Sequence, residues 1–193
     1  MVRTESTMLS LGTLAPDFEL PDTNGKLRSK REFDRAPALL VAFLCNHCPY
    51  VKHVQLGLAA MARDLQALGV AVVGINSNDV TTHPDDSPAK MKVEARAAGY
   101  TFPYLFDESQ AVAKSYRAAC TPDFFLFDSE RKLVYRGQMD GARPGNDVPV
   151  TGEDLRAAVA AVLARKPALK SQRPSLGCNI KWRAGNEPEY FGG

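Results

Sequence analysis

The pattern of apolar and polar positions predicts strands that alternate with helices. An apolar run at 38–44 has the length and composition of a fully buried strand. From Pro49 to about Leu68, apolar residues recur every three or four positions, as in an amphipathic helix, and Gly69 is placed to end it. A second short buried strand is expected at 70–75. The first half of the chain therefore predicts a strand, a helix and another strand.

Weaker signals of the same kinds divide the remaining chain. Asn24-Gly25 is a strong hairpin signal near the N-terminus. A polar loop is expected at 76–88, with Asp85 and Asp86 solvated, and Ser87 and Pro88 are expected to open a helix that runs to about Ala98. A short strand at 102–107 and a helix at 108–118 should follow. The last elements expected are a hairpin of 124–127 with 133–137 and a helix at 151–163 capped by Thr151.

This order of elements predicts an α/β sandwich with a mixed central sheet. We expect a domain at 1–165 that begins with a β-hairpin extension. Residues 166–193 lack periodicity and are expected to form an extended C-terminal tail packed on the domain.

Composition narrows the function classes. The chain has 193 residues, is 45% apolar and carries a formal net charge of +2, which gives no electrostatic argument for nucleic acid or an anionic membrane as partner. No apolar segment reaches membrane-spanning length, and the first eight residues lack the apolar core of a signal peptide. A cytoplasmic location is therefore expected. In that compartment the four cysteines are better interpreted as catalytic or metal-binding than as a disulfide framework.

The candidate catalytic residues lie where the first buried strand ends. Cys45 and Cys48 follow the strand, and Pro49 suits the first position of the next helix. A thiol at that junction lies beside the unpaired N–H groups of the helix start, which stabilise a thiolate. Because thiolates are the nucleophiles of disulfide exchange, the segment predicts redox chemistry.

Three separated motifs resemble the thioredoxin-like superfamily, in particular its redoxin and peroxiredoxin-like branch. They are the entry segment Gly12-x-x-Ala15-Pro16-Asp17-Phe18, the strand-to-helix segment Phe43-x-x-x-x-Cys48-Pro49, and the turn Thr121-Pro122-Asp123-Phe124. The Cys-Asn-His-Cys-Pro motif and the tail around Cys178 further resemble a peroxiredoxin-like subgroup. The resemblance implies a thioredoxin-like three-layer sandwich, with Pro122 in the cis form and facing the nucleophile.

Two registers of the cysteines are compatible with this resemblance. Phe43 stands five residues before Cys48, as a strand phenylalanine does before the thioredoxin nucleophile, and this favours Cys48 as nucleophile. The other register makes Cys45 the nucleophile and Cys48 its partner, but Pro49 then falls one position too late. In either register a disulfide between Cys45 and Cys48 is sterically conceivable and is expected of a dithiol oxidoreductase.

Four further residues are candidates at the site. His47 either favours the neighbouring thiolate as a local charge or is a partly exposed loop histidine. Cys120 either resolves Cys48 or is a small buried thiol. Cys178 is either a resolving cysteine in the tail or helps pack it, with Ile180 and Trp182 as anchors. The resemblance implies that Thr121 exposes its backbone to a bound peptide or thiol.

These residues define three candidate functions. The leading one is thiol–disulfide oxidoreduction, with Cys48 as nucleophile and Cys45, or else Cys120, as the resolving thiol. The second is a peroxiredoxin-like thiol peroxidase with antioxidant activity. It needs Pro seven and Thr or Ser three residues before the nucleophile, and neither register supplies them, since the positions hold Val41 and Cys45, or Ala38 and Ala42. The third is a non-catalytic metal-binding or chaperone-like module built on the Cys45-x-x-Cys48 spacing.

The expected partners follow from what the sequence lacks. No phosphate-binding glycine loop or nucleotide motif is present, so we expect no cofactor, and the leading interpretation involves no bound metal. Electrons would come from a protein or a small thiol reductant and go to a disulfide-containing protein or a small thiol substrate. We expect a monomer or a homodimer, with no nucleic-acid or membrane partner.

Overall fold

The computed structural model describes residues 3–191. In chain order its elements are β1 (Arg3–Glu5), β2 (Glu19–Pro21), β3 (Leu27–Ser29), β4 (Leu39–Phe43), α1 (Pro49–Ala67), β5 (Ala71–Asn76), α2 (Pro88–Ala98), β6 (Tyr104–Phe106), α3 (Ala111–Ser115), β7 (Cys120–Thr121), β8 (Asp123–Phe127), β9 (Leu133–Gly137), α4 (Glu153–Leu163) and β10 (Leu176–Asn179), with 3₁₀ turns at Lys30–Phe33 and Pro84–Asp86.

A mixed five-stranded sheet in the order β6-β5-β4-β8-β9 forms the centre. Strands β4, β5 and β6 are parallel, whereas β8 pairs antiparallel with both β4 and β9. Every residue of β4 is buried, because this strand has a neighbour on each side and is covered on both faces. That double burial explains its continuous apolar run, and the strand expected at 38–44 is confirmed.

Helices and loops cover both faces of this sheet. Apolar side chains of α1, α2 and α4 pack against one face, and those of α3, the N-terminal segment and Ile180 pack against the other. The three-layer α/β sandwich is therefore confirmed. Strands β2 and β3 form the expected hairpin, with Gly25 at φ 80° in its turn. Among residues 3–191, no helix is both long enough and apolar enough to cross a membrane.

Two helices begin or end differently from the expectation. The helix predicted at 108–118 is limited to α3, because Gln110 and Arg117 on either side adopt the left-handed conformation, with φ 63° and 52°. Thr151 was expected to cap α4, but the capping residue is Gly152 at φ 70°. The carboxylate of Asp140 accepts hydrogen bonds from the N–H groups of Thr151 and Gly152, at 2.8 and 2.6 Å, and so anchors the helix start from a distant loop.

The tail after residue 165 contributes a strand that periodicity did not indicate. Strand β10 lies between β1 and β7 in a separate three-stranded antiparallel sheet. Its register places Cys178 opposite Thr121 and Asn179 opposite Cys120. Ile180 is buried, and Trp182 is partly buried against the same cluster. This second sheet attaches the end of the chain to the turn that contains Pro122.

Candidate active site

Cys48 lies at the N-terminus of α1, where the chain leaves the central strand β4. It is the capping residue of the helix, and Pro49 occupies the first helical position. Its side chain is fully buried, and its sulfur lies 3.2 Å from the carbonyl oxygen of Thr121. The N–H group of Val51 in the first turn also interacts with the sulfur. The junction of β4 and α1 therefore places the sulfur of Cys48 at the positive end of the helix dipole.

The turn at Thr121 and Pro122 faces both cysteines of the motif. The Thr121–Pro122 peptide bond is cis, which confirms this part of the expectation. The Thr121 hydroxyl lies 3.2 Å from the sulfur of Cys45, and the Thr121 carbonyl contacts Cys48. One residue of this turn therefore contacts two sulfur atoms.

A third thiol reaches the site from the tail. Cys178 pairs with Thr121 across the β10–β7 ladder, so the two side chains share a face of that sheet. A side-chain hydrogen bond from Cys178 is the main cause of a lowered pKa at Cys48, followed by a hydrogen bond from Cys45, and together they outweigh the opposing effect of burial. The lowered pKa makes the thiolate form more accessible at Cys48 than at the other cysteines. All four cysteines are buried, and none of them forms a disulfide.

The pKa of each of the other three thiols is raised. Burial raises the pKa of Cys45, with further contributions from Cys48 and the Asp86 carboxylate. The pKa of Cys178 is raised chiefly because its thiol is hydrogen-bonded to Cys48. Burial also raises the pKa of Cys120. The pKa shifts therefore distinguish Cys48, whose pKa is lowered, from three cysteines whose pKa is raised.

Cys120 is oriented differently from the other candidates. It precedes Thr121 in β7, and successive side chains of a strand point to opposite faces. Its thiol donates to the carbonyl oxygen of Pro122 at 3.8 Å. The structure therefore brings Cys45, Cys48 and Cys178 together around Thr121 and gives Cys120 a separate position.

Asp86 is the main feature of the site that the sequence pattern missed. It was expected to be solvated, but it is fully buried at the end of the Pro84–Asp86 turn. Its carboxylate lies 2.6 Å from Nδ1 of His47 and accepts hydrogen bonds from the N–H of Asn46 at 2.6 Å and from Nδ2 of Asn78 at 2.8 Å. Burial opposes ionisation, but these contacts outweigh it and lower the pKa of Asp86.

A buried polar network extends from this carboxylate. The hydroxyl of Tyr104 donates to Oδ1 of Asn46 at 3.1 Å, and Nδ2 of Asn46 donates to the carbonyl of Asp85 at 2.7 Å. A sequence signal for the network does exist: Asn76 ends the parallel strand β5, Asn78 and Asp86 follow it, and open α/β sheets build sites beyond the carboxyl ends of their strands. The network fixes the loop that carries Cys45, His47 and Cys48.

Three side chains of this loop region could hold a metal ion. One ligand atom each from Cys45, His47 and Asp86 lies within 4.8 Å of the others. Thiolate, imidazole and carboxylate are ligands of Zn²⁺. Both oxygens of Asp86 already accept hydrogen bonds, so the arrangement is a hydrogen-bonded network that would have to rearrange around a cation.

Comparisons with known proteins agree with this architecture. The chain is similar over nearly its whole length to an uncharacterized conserved protein from Geobacillus kaustophilus, with 50% identity, a TM-score of 0.93 and coverage of 95% of this chain and 97% of the other. A hypothetical protein from Sinorhizobium meliloti 1021 shows 56% identity and a TM-score of 0.93, with coverage of 94% and 100%. Thiol-disulfide oxidoreductase ResA from Geobacillus thermodenitrificans is 26% identical over 132 residues, which cover 67% of this chain and 70% of the relative.

Family assignment follows from a match that includes the strand-to-helix site and the cis-proline turn. The model of the AhpC/TSA family matches residues 11–136, which is more than half of the chain. That range contains Cys45, Cys48 and Pro122, whereas Cys178 lies beyond it. The chain belongs to the AhpC/TSA family.

Proposed function

We propose that the protein is a thioredoxin-type thiol–disulfide oxidoreductase in which Cys48 is the attacking thiolate. The observation that carries the proposal is the lowered pKa of Cys48, hydrogen-bonded by two further thiols at the start of a helix. A thiolate attacks a disulfide, and a neighbouring thiol then releases the product, so such a cluster suits this reaction. The similarity to a relative named thiol-disulfide oxidoreductase supports the same class.

The reaction assigns roles to the surrounding residues. Cys48 attacks one sulfur of the substrate disulfide, forms a mixed disulfide and releases the other substrate sulfur as a thiol. A second thiol, from Cys45 or Cys178, then attacks the sulfur of Cys48 and releases the rest of the substrate. Pro49 starts the helix that stabilises the thiolate, and the Thr121–Pro122 turn borders the reacting sulfurs. His47, held by Asp86, fixes the loop that carries both cysteines.

The proposal also defines the partners. The substrate is a disulfide-containing protein or a small disulfide, and a protein dithiol or a small thiol returns the enzyme to its reduced form. A cytoplasmic location is part of the proposal, because the thiol pool of that compartment would supply the reductant. Fractionation of cells that express the tagged protein tests this location.

A thiol peroxidase is the second candidate, because the AhpC/TSA match and the thiolate of Cys48 are compatible with attack on a peroxide and with an antioxidant role. The position seven residues before Cys48 is Val41, which is buried in the middle of β4. The position three residues before it is Cys45. Neither side chain is the proline or hydroxyl residue of the peroxidase pattern, so we rank this activity second.

The two activities are separated by measuring them under one electron donor. Disulfide reduction and hydrogen peroxide consumption are followed with dithiothreitol as reductant, for the wild type and for Cys48→Ser. We expect catalysed disulfide reduction that falls to the uncatalysed rate in Cys48→Ser. Rapid peroxide consumption with negligible disulfide reduction would instead establish the peroxidase, and full activity in Cys48→Ser would exclude Cys48 as the nucleophile.

A further inference from the structure

We infer that Cys178, carried by strand β10, is the thiol that resolves the mixed disulfide on Cys48, and that β10 must leave its place for a substrate to reach Cys48. This inference rests on the proposed function and adds to it the identity of the second redox cysteine. The tail then has a catalytic role that local sequence periodicity does not indicate.

The register of β10 brings Cys178 to the reacting sulfur. Cys178 lies directly opposite Thr121, and the carbonyl oxygen of Thr121 lies 3.2 Å from the sulfur of Cys48. The side-chain hydrogen bond between Cys178 and Cys48 shows that the two sulfur-bearing groups already touch in the reduced protein. A disulfide between them would join two side chains that are already hydrogen-bonded.

Gly177, the residue before Cys178, shows how closely β10 approaches the backbone of Thr121. A Cβ atom on Gly177 would lie 2.0 Å from the carbonyl oxygen and 2.6 Å from the carbonyl carbon of Thr121. Real Cβ atoms do not approach backbone this closely, so only glycine allows the strand to lie here. On the other side, β1 pairs with β10 from Arg3 to Glu5.

Local charges favour Cys178 over Cys45 as the resolving thiol. Burial is the main cause of the raised pKa of Cys45, and the buried carboxylate of Asp86 adds to it. At Cys178 the hydrogen bond to Cys48 raises the pKa most, but the ammonium of Lys181 acts in the opposite direction. Once Cys48 is bound to substrate its negative charge is gone, so the largest cause of the raised pKa at Cys178 is removed, whereas burial, the largest cause at Cys45, remains.

The complete burial of Cys48 makes movement of β10 part of the reaction. In the reduced protein no side-chain surface of Cys48 is open to a substrate, and β10 with Cys178 forms part of its cover. Displacement of β10 exposes the thiolate, which attacks the substrate disulfide and releases one substrate thiolate. Return of β10 brings Cys178, whose sulfur loses its proton and bonds to the sulfur of Cys48 while the second substrate thiolate leaves. Two electrons pass to the substrate, and an external thiol reductant then reduces the Cys48–Cys178 disulfide.

A single-turnover reaction with the aromatic disulfide 5,5′-dithiobis(2-nitrobenzoate) tests the assignment. Native wild-type protein should release two thionitrobenzoate ions per chain and contain a Cys48–Cys178 disulfide on peptide mapping. Cys178→Ser and Cys178→Ala should release one ion quickly and retain the aromatic adduct on Cys48, with the second release slowed at least about tenfold. In Cys45→Ser the disulfide should still map to Cys48 and Cys178.

The outcomes distinguish this inference from the proposed function. A wild-type disulfide between Cys45 and Cys48, or a second release in Cys178→Ser at the wild-type rate, overturns the inference and leaves the oxidoreductase intact. A persistent adduct on Cys48 in the wild type also overturns it. Absence of any adduct or disulfide at Cys48 removes the proposed function as well. Because the wild-type mapping needs no variant, the test survives a variant that fails to fold.

The movement of β10 has its own test in Gly177→Ala. The added methyl group cannot coexist with the Thr121 carbonyl, so β10 should be displaced and alkylation of Cys48 by iodoacetamide should accelerate at least about tenfold. The matched control is Gly141→Ala, whose Cβ meets only an ordinary contact at 3.6 Å from Val148. Equal alkylation rates for wild type, Gly177→Ala and Gly141→Ala would contradict the covering role of β10.

Discussion

Replacement of Asp86 by asparagine should destabilise the protein without unfolding it. The carboxylate accepts hydrogen bonds from the Asn46 N–H and Asn78 Nδ2 and contacts His47, all at 2.6–2.8 Å, while fully buried. An asparagine of the same shape keeps one acceptor oxygen but turns an NH₂ group toward a donor. One buried donor then lacks a partner, which costs about 1–3 kcal/mol, and the charge-assisted contact with His47 is weakened. We expect a total loss of about 2–4 kcal/mol from the free energy of unfolding.

Urea unfolding at pH 7, followed by the fluorescence of the single tryptophan, Trp182, measures this loss. The neighbouring Asp85 is exposed and provides the matched control. Asp85→Asn should change the free energy of unfolding by less than about 0.5 kcal/mol. If the two variants were equally stable, the argument that Asp86 organises the loop would be refuted.

The stability that Asp86→Asn removes should depend on pH, and the direction of that dependence follows from the pKa shift of Asp86. The pKa of Asp86 in the folded protein is lowered, so the unfolded chain takes up its proton first as the pH falls. The stability contributed by the carboxylate is therefore present above the ordinary carboxyl pKa of about 4 and is lost as the pH falls through the lower folded value. The gap between wild type and Asp86→Asn should accordingly narrow below about pH 4. A gap that widened on acidification would contradict the assigned direction.

Two further predictions concern buried polar contacts and use the same urea assay. Arg131→Ala should lower the free energy of unfolding by about 2–3 kcal/mol, because the buried guanidinium donates to backbone carbonyls, including that of Ala36 at 3.1 Å. The control is Lys132→Ala, which removes an exposed side chain and should change the free energy of unfolding by less than about 0.5 kcal/mol. Equal losses of stability in Arg131→Ala and Lys132→Ala would contradict the argument that the buried hydrogen bonds of Arg131 stabilise the fold. Tyr104→Phe should cost about 1 kcal/mol by removing the 3.1 Å hydrogen bond to Asn46, and an unchanged urea midpoint would show that the bond contributes nothing.

The elements that the sequence predicted well are those whose signal is local. The central strand has a continuous apolar run because it is buried on both faces, and α1 has a clear helical period because one face packs on the sheet. Cys48 could be placed at the helix start because Phe43 and Pro49 mark both sides of the junction. Such signals depend only on neighbours within a few positions.

Asp86 escaped prediction because part of its environment, Asn46 and His47, comes from a distant part of the chain. In sequence it stands in a polar, proline-containing segment that is typical of a solvated loop. In the structure Asn46 and Asn78 supply the donors that compensate its burial. No local pattern records a pairing across forty positions.

The position of the C-terminal tail next to Cys48 could not be predicted from the sequence either. Strand β10 is short and has no apolar alternation, and it pairs with β1 and with the two residues of β7. Gly177 looks like an ordinary flexible residue in the sequence, whereas its backbone approach to Thr121 shows a steric requirement. Cys178 could be identified as a candidate but could not be brought to Cys48 without the fold.

The central claim is that Cys48 is a thiolate at neutral pH, and thiolate absorbance at 240 nm tests it most directly. The difference in absorbance between wild type and Cys48→Ser is titrated on the native proteins, which avoids any reagent that must enter the buried site. We predict a thiolate signal at pH 7 that persists on acidification, with a midpoint well below the ordinary cysteine value of about 8.5. A signal that appears only above pH 8, with a midpoint at or above that ordinary value, would contradict the account.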